Sequence, residues 1–348
     1  MLGSSIIAGI YNRIKNHIKF CGRLVFNLPY WIKAQISLFK NYIIDLRYKL
    51  DHLKETNLEL GIEHLYKRNL NDAIIRFILV NKFFSKGDSK ANYWLGWTYF
   101  LKNNYVKSLY YLKLDKESDP IGLGSFIQNY TNYNEIPSAI WYQYRELISE
   151  YYIDNFYLED MKNLYEVFAQ KTLNQITKLP DHYSILELGS NIGILGRYVR
   201  KRFPDTFTMK AVEVSDSMTK LASIYYPGLK IYDELLNLHI QEFLKLATQN
   251  SDKFDVILSC YSLTFTKELD TYFNDIYSLL NDNGFFAFCL PTNNMTKLSL
   301  DRKEFVFDQT YIKKAVNASN LILLSTDELS LGINNKYSIF TCKKVIGK

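Results

Sequence analysis

From about Tyr183 onward, short apolar runs alternate with amphipathic stretches. Ser184–Leu188, Thr208–Val214, Leu235–His239, Phe254–Ser259 and Phe285–Leu290 have the length and the apolar content of buried strands. Helical periodicity continues through Tyr198 to Phe203 and marks Asp216–Tyr225, Gln241–Ala247, Leu269–Leu280 and Gln309–Ala318. Asn281-Asp282-Asn283-Gly284 reads as a tight turn into the fifth strand. Two more strands follow, Leu321–Ser325 and Tyr337–Lys343. Strand–helix alternation of this kind predicts an α/β domain with a mostly parallel sheet, here five parallel strands closed by an antiparallel pair.

Before that point the pattern is helical throughout. Leu60-Gly61 is followed by Ala73 and Phe77, and Leu95-Gly96 by Ser108, Leu112 and Pro120, at the same offsets of twelve and sixteen. This resembles the tetratricopeptide repeat, in which a Gly lets one helix pack closely on the next; the usual period is about 34 residues. His64, Asn92 and Ser85 depart from its Tyr, Trp and Pro positions. Two such repeats bury little alone and need a neighbour. They stand either as a plain helical array or as a surface for a protein partner. Pro120, Gly122, Gly124 and Pro137 interrupt the helices. Helices then return at Ile140–Ile153 and Leu158–Ile176. Four segments result: a helical N-terminal segment over 1–54, repeat-like helices over 55–120, a connector over 121–180 and the α/β domain over 181–348.

Charge changes the picture only for the first segment. Residues 1–50 hold eight basic side chains and the single acid Asp45, a net +7, whereas the whole chain carries +6. The body therefore has no broad positive field, and nucleic-acid binding is not expected. In the first segment Ile14, Ile18, Cys21 and Val25 share a helical face beside Arg13, Lys15 and Lys19, Asn27-Leu28-Pro29 breaks the pattern, and a second helix is predicted from Tyr30 to about Leu53. It reads either as a helical pair docked on the protein or as a basic element on an anionic membrane surface. No run of 18 apolar residues is present, and the uncharged first residues precede the charged ones, the reverse of a signal peptide. The four cysteines form no CxxC pair and the five histidines no metal-ligand spacing. No metal is expected, and the scatter of cysteines fits the cytoplasm, with peripheral membrane attachment as the alternative.

The chemistry concentrates after the first strand of the α/β domain. Glu187 ends that strand, Gly189-Ser190-Asn191-Ile192-Gly193 follows, and a helix begins. A strand, a glycine-bearing loop and a helix N-terminus make a nucleotide-binding corner. The second strand ends on Glu213, twenty residues after Gly193, where an acid can accept both hydroxyls of a ribose.

ILELGSNIG, AVEVSDSM, FDVILSCYSL and LLNDNGFFAF, in this order, resemble the first, second, fourth and fifth motifs of class I S-adenosylmethionine-dependent methyltransferases. The order of repeats, connector and α/β domain is also similar to predicted bacterial methyltransferases with N-terminal tetratricopeptide repeats. The resemblance implies a Rossmann-like seven-stranded methyltransferase sheet, S-adenosylmethionine as cofactor, and a methyltransferase with an unidentified acceptor. A scaffold or assembly factor that keeps the fold is the alternative. It places Glu187 near the methionine amino group, Gly189, Ser190, Asn191 and Gly193 in the loop beneath the methionine, and Glu213 on the ribose. Val214, Met218, His239 and Ile240 fall around the adenine, and Ser259 at the methyl group. Tyr261, Phe265, Asn293 and Asn294 are candidates for contact with the acceptor, each also readable as packing or turn residues. Asn191 replaces the central Gly of the loop, and Asn tolerates left-handed backbone. His239 replaces an acid, and a neutral imidazole is expected to accept a bond from the adenine amino group. The Glu213 carboxylate is expected to be removable without disturbing the fold.

Overall fold

The structure is a computed structural model that describes residues 30–45, 48–49, 51–114, 116–156, 161–176, 179–203, 207–225, 230–331 and 335–345. The first predicted helix, around Ile14–Val25, lies outside the described residues. The chain divides into two compact units, residues 1–59 and 60–348. In the first, residues 30–45 form helix α1, on which Tyr30, Trp31, Phe39 and Ile44 are exposed. No helix among the described residues is long and apolar enough to cross a membrane.

The helical pattern yields α2 (Leu53–Tyr66), which runs from the last residues of the first unit into the second, and then α3 (Leu70–Leu79), α4 (Ser89–Leu101) and α5 (Tyr105–Leu112) within the second. Asp88 and Asn104 start α4 and α5 by accepting the Ala91 and Lys107 N–H groups at 2.9 and 3.1 Å. Close approach explains the spaced glycines. A Cβ on Gly61 would stand 2.5 Å from the Phe77 ring, and one on Gly96 would stand 2.4 Å from Leu112. Short α6 (Leu123–Asn129) follows, then α7 (Ser138–Phe156) and α8 (Met161–Leu173). The predicted break around Gly122–Gly124 is narrower than expected. Gly122 (φ 77°) precedes α6, and Gly124 lies within it because Asp119 accepts both the Leu123 and the Gly124 N–H.

The sheet contains β1 (Tyr183–Leu188), β2 (Phe207–Glu213), β3 (Glu234–Asn237), β4 (Phe254–Cys260), β5 (Leu280–Thr292), β8 (Ile322–Leu331) and β9 (Asn335–Lys343). Its order is β3-β2-β1-β4-β5-β9-β8. The first five are parallel, and β9 runs antiparallel to both β5 and β8. The predicted turn at Asn281–Gly284 is instead the irregular start of β5, where Leu280 pairs with Phe254 before regular pairing resumes at Val256–Phe285. A short hairpin, β6 (Lys297–Ser299) and β7 (Glu304–Val306), was invisible to periodicity because three-residue strands carry none.

Helices α9 (Ile194–Arg202), α10 (Asp216–Tyr225), α11 (Ile240–Gln249), α12 (Leu269–Leu279) and α13 (Gln309–Ala318) alternate with the strands. Tyr165, Phe168, Leu195 and Val199 pack with Ile185, Met209, Val256 and Ile339 in one buried cluster. Phe273, Phe286, Phe288 and Phe340 form another aromatic group, with neighbouring centroids 4.8–5.4 Å apart. Each such side chain contributes about 1.5–3 kcal/mol by burial. The strand order reverses direction between β1 and β4. That is the point at which open α/β sheets leave a crevice at the carboxyl ends of their strands.

Candidate functional site

The loop after β1 lies in that crevice, and its backbone is set by two left-handed glycines and one left-handed asparagine. Gly189, Asn191 and Gly193 have φ of 77°, 50° and 81°. Gly189 and Ser190 donate to Val212 O at 2.9 and 3.0 Å, which ties the loop to β2. Gly189 is required for a second reason: a Cβ there would lie 2.3 Å from the Ser262 side chain. Asn191 fills the place of a glycine at a cost offset by three contacts. Its side-chain amide donates to Tyr165 Oη at 2.5 Å and to Gly189 O at 3.2 Å, and its Oδ1 accepts from Arg145.

Glu213 closes the far side. Its Oε2 accepts Asn191 N–H at 2.8 Å and its Oε1 accepts Ser215 N–H at 3.1 Å, while Arg145 Nη2 stands 3.7 Å away. This corrects the expectation that the carboxylate can be removed without disturbing the fold: Glu213 is 2% exposed and joins the two loops. A carboxylate offers about four lone-pair sites, so two remain. Glu187 lies deeper, fully buried. Tyr232 Oη donates to its Oε2 at 2.8 Å, and its Oε1 has no hydrogen-bond partner among the described residues. Burial pushes its pKa up to about 8. Ser190, in the loop after β1, and Ser259, near the end of β4, are also buried, with hydroxyls that have no partner among the described residues.

Helix α7 roofs the crevice. Its entry is pinned by Ile136 N–H to Phe265 O at 2.7 Å and by Lys267 N–H to Asn134 O at 2.8 Å. Trp141 and Arg145, one turn apart, then face the loop, while Glu146 accepts Ser215 Oγ, Ser217 N and Ser217 Oγ at 2.7, 3.1 and 2.6 Å. A carboxylate at the start of α10 is favoured by the helix dipole.

The resulting pocket is narrow, about 20 Å³. Gly189, Asn191, Glu213, Val214, His239 and Ile240 line it, joined by Tyr261 and Phe265. Trp141, Arg145 and Ser262 complete it; the sequence pattern did not single them out. The i, i+4 spacing of Trp141 and Arg145 on a predicted helix was the available signal. Glu187, Ser190, Gly193, Met218 and Ser259 do not line it. Asn293 and Asn294 are exposed and line neither this pocket nor the cavity beside it.

His239 differs from expectation in its chemistry. It caps α11, and its Nδ1 accepts Gln241 N–H at 3.3 Å. Burial lowers its pKa, so the ring is neutral near pH 7 and carries its hydrogen on Nε2. Toward a ligand it presents a donor, not the acceptor an adenine amino group would need.

Beyond Trp141, Arg145 and Tyr261 a second cavity of about 220 Å³ opens, bounded also by Arg68, Tyr151 and Lys303. Tyr261 stands at the junction with φ of 60°, and its hydroxyl donates to Glu304, whose carboxyl is raised by burial and held by Arg302 Nε at 2.5 Å.

No curated protein matches the sequence. Among solved structures, a SAM-dependent methyltransferase from Leishmania major is 14% identical, with 59% of this chain and 82% of that one covered and a TM-score of 0.48. Magnesium protoporphyrin IX methyltransferase from Synechocystis is 10% identical, with 60% and 96% covered and a TM-score of 0.44. Geranyl diphosphate C-methyltransferase from Streptomyces coelicolor is 11% identical, with 52% and 79% covered and a TM-score of 0.43. At such identities the likeness says nothing of substrate. The sequence profile of the methyltransferase domain family matches residues 157–324. That span takes in β1 through α13 and every strand end around the crevice, so this part of the chain is a methyltransferase domain and the protein that carries it is a methyltransferase.

Proposed function

We propose that the protein transfers a methyl group from S-adenosylmethionine, held in the crevice between β1 and β4, to an acceptor that enters through the adjoining cavity. The observation that carries this is the convergence of Gly189, Asn191, Glu213, Val214, His239 and Ile240 on one pocket. The donor set fits a nucleoside: two free lone-pair sites on Glu213 for a diol, and His239 Nε2–H with the Ile240 side chain for a purine edge and face. Glu187, Ser190 and Ser259 carry buried oxygens without a partner among the described residues, and the resemblance puts the first two at the methionine and the third at the methyl group. A space of about 20 Å³ holds one or two water-sized spheres, so binding requires lining side chains to move aside.

When bound, the donor supplies an electrophilic sulfonium methyl. The residues around it need only align the acceptor and exclude water. Trp141, Tyr261 and Phe265 form a largely apolar wall for that purpose. The test is titration calorimetry of the full chain with S-adenosylmethionine and its demethylated product. Micromolar binding of both supports the reading; binding of neither sinks it and leaves the scaffold alternative.

The helices from α2 to α5 are read as two degenerate tetratricopeptide hairpins for a protein partner. The support is the matched packing of Gly61 on Phe77 and Gly96 on Leu112, together with the exposed Ile75, Val106 and Tyr110. The net +7 of residues 1–50 and the exposed aromatics of α1 support contact with an anionic membrane surface, from a cytoplasmic location.

A further inference from the structure

The cavity next to the donor pocket has a charge pattern that neither the fold nor the donor explains. It is lined by four cationic side chains, Arg68, Arg145, Arg302 and Lys303, and by one carboxylate, Glu304. Two of the cations are accounted for. Arg302 is paired with Glu304, and Arg145 faces Glu213. Arg68 and Lys303 have no carboxylate at ion-pair distance among the described residues. Arg68 Nη1 is buried without a hydrogen-bond partner, and its guanidinium stacks over Tyr151 at 5.0 Å. Lys303 is 6% exposed, and its ammonium donates to Asn103 Oδ1 at 2.5 Å and to the Asp301 carbonyl at 3.3 Å, both neutral acceptors.

Two uncompensated cations on one wall, Lys303 buried and Arg68 half-buried, cost free energy unless something negative meets them. Their mutual cost is visible in Lys303, whose pKa is lowered to about 8 by burial and by the Arg68 charge. The remaining wall is mostly aromatic, with Trp141, Tyr144, Tyr151 and Tyr152 beside Ile148, Met161 and Thr264. Planar guanidinium and ammonium donors in a fixed cluster are the recognition chemistry of carboxylates and phosphates.

We propose that the methyl acceptor is a small molecule with a carboxylate or phosphate group, which Arg68 and Lys303 bind while the aromatic walls hold its apolar body and Tyr261 borders the atom to be methylated. This rests on the methyltransferase reading only for the word acceptor; the anion site itself stands on the cavity. Arg68 and Lys303 are then positioning residues that set where the acceptor lies, and they do not line the donor pocket.

The test uses the full chain with benzoate and phenyl phosphate as probes and benzamide as the neutral control, followed by calorimetry or ligand-detected NMR. Both anions should bind at least about tenfold more tightly than benzamide, the equivalent of one charge-assisted hydrogen bond. The tighter of the two anions tells carboxylate from phosphate. Arg68→Gln and Lys303→Gln should each cost about tenfold for the anions, Arg68→Lys should cost less, and all three should bind the demethylated donor like wild type. Benzoate keeps its charge from about pH 7 to about pH 9, so its affinity for the wild type should fall over that range as Lys303 deprotonates; this arm needs no variant to fold. Anions that bind no better than benzamide, or bind unchanged to both glutamine variants, overturn the proposal. Anion binding without donor binding would leave this site standing and remove the methyltransferase assignment of the pocket. Donor binding without anion preference would do the reverse.

Discussion

Glu213→Ala is the substitution whose outcome the structure changes most. The carboxylate accepts Asn191 N–H at 2.8 Å and Ser215 N–H at 3.1 Å and balances Arg145 at 3.7 Å, and at 2% exposure no water replaces it. A buried donor left unpaired costs about 1–3 kcal/mol. One member of a buried ion pair left alone costs about 3–5 kcal/mol. The terms overlap, because one relaxation of the loop serves all three partners, so we expect a loss of about 4–6 kcal/mol rather than their sum. A natural domain has only about 5–15 kcal/mol in total. The melting temperature should fall by about 8 °C or more. Glu213→Gln keeps one oxygen for an amide but turns an NH2 toward the other and removes the charge, so it should lose roughly half as much. Scanning calorimetry of both variants beside the wild type decides it. A Glu213→Ala protein that melts within about 2 °C of wild type would mean that the acid does not join the two loops, and its ribose role would stand alone.

Three further outcomes follow from the same geometry. The carboxyl of Glu187 is raised to about 8 by burial, so the folded state holds a proton that the unfolded state releases above its ordinary value near 4.5; stability should decline as pH rises between those values, and Glu187→Gln should flatten that slope in melting temperatures measured from about pH 5 to about pH 8. Glu146→Ala should remove three hydrogen bonds at the start of α10 and speed hydrogen exchange of the Ser217 and Met218 amides; unchanged protection would show that α7 is held down by other contacts. Gly96→Val should destabilise the protein by roughly 1–3 kcal/mol through its clash with Leu112, with partial recovery in Gly96→Val combined with Leu112→Ala; equal melting of Gly96→Val and wild type would refute close packing there.

What could be read from the sequence is what repeats locally. The strands of the parallel sheet, the turn at Gly189–Gly193 and the helices after β2 and β5 announce themselves through apolar runs and spacing, and Asn191 adopts the left-handed backbone its chemistry permits. The irregular start of β5 was hidden because Asn-Asp-Asn-Gly looks the same in a turn and in a bulged strand end. The partners of a charged residue are equally hidden. Nothing beside Glu213 in the sequence says that Arg145 will face it, since the two meet only when α7 lies across the sheet. Lys303 and Arg68 are ordinary surface-type residues by composition, and their significance arises because the fold buries Lys303 within reach of the Arg68 charge. In a chain with 28 Tyr and 22 Phe, one aromatic more on a helix stands out only through its i, i+4 spacing to Arg145, and Trp141 was lost among them.

The placement of β9 between β5 and β8 has a consequence for how the protein is made. β9 leaves the ribosome after every other strand described here, yet it pairs with two of them, Phe285–Thr292 on one side and Ile322–Leu331 on the other. Until it arrives, the nascent chain carries β5 as an open edge, rich in Phe285, Phe286 and Phe288, with no strand to cover it. β8 has no partner in the sheet at all during that interval, since β9 is its only neighbour. The half-made domain is therefore at its stickiest just before synthesis of β9, and chaperone demand should peak there. A nonsense codon after Leu331 would leave the sheet without β9 and β8 without its neighbour, a product for degradation rather than a weakened enzyme.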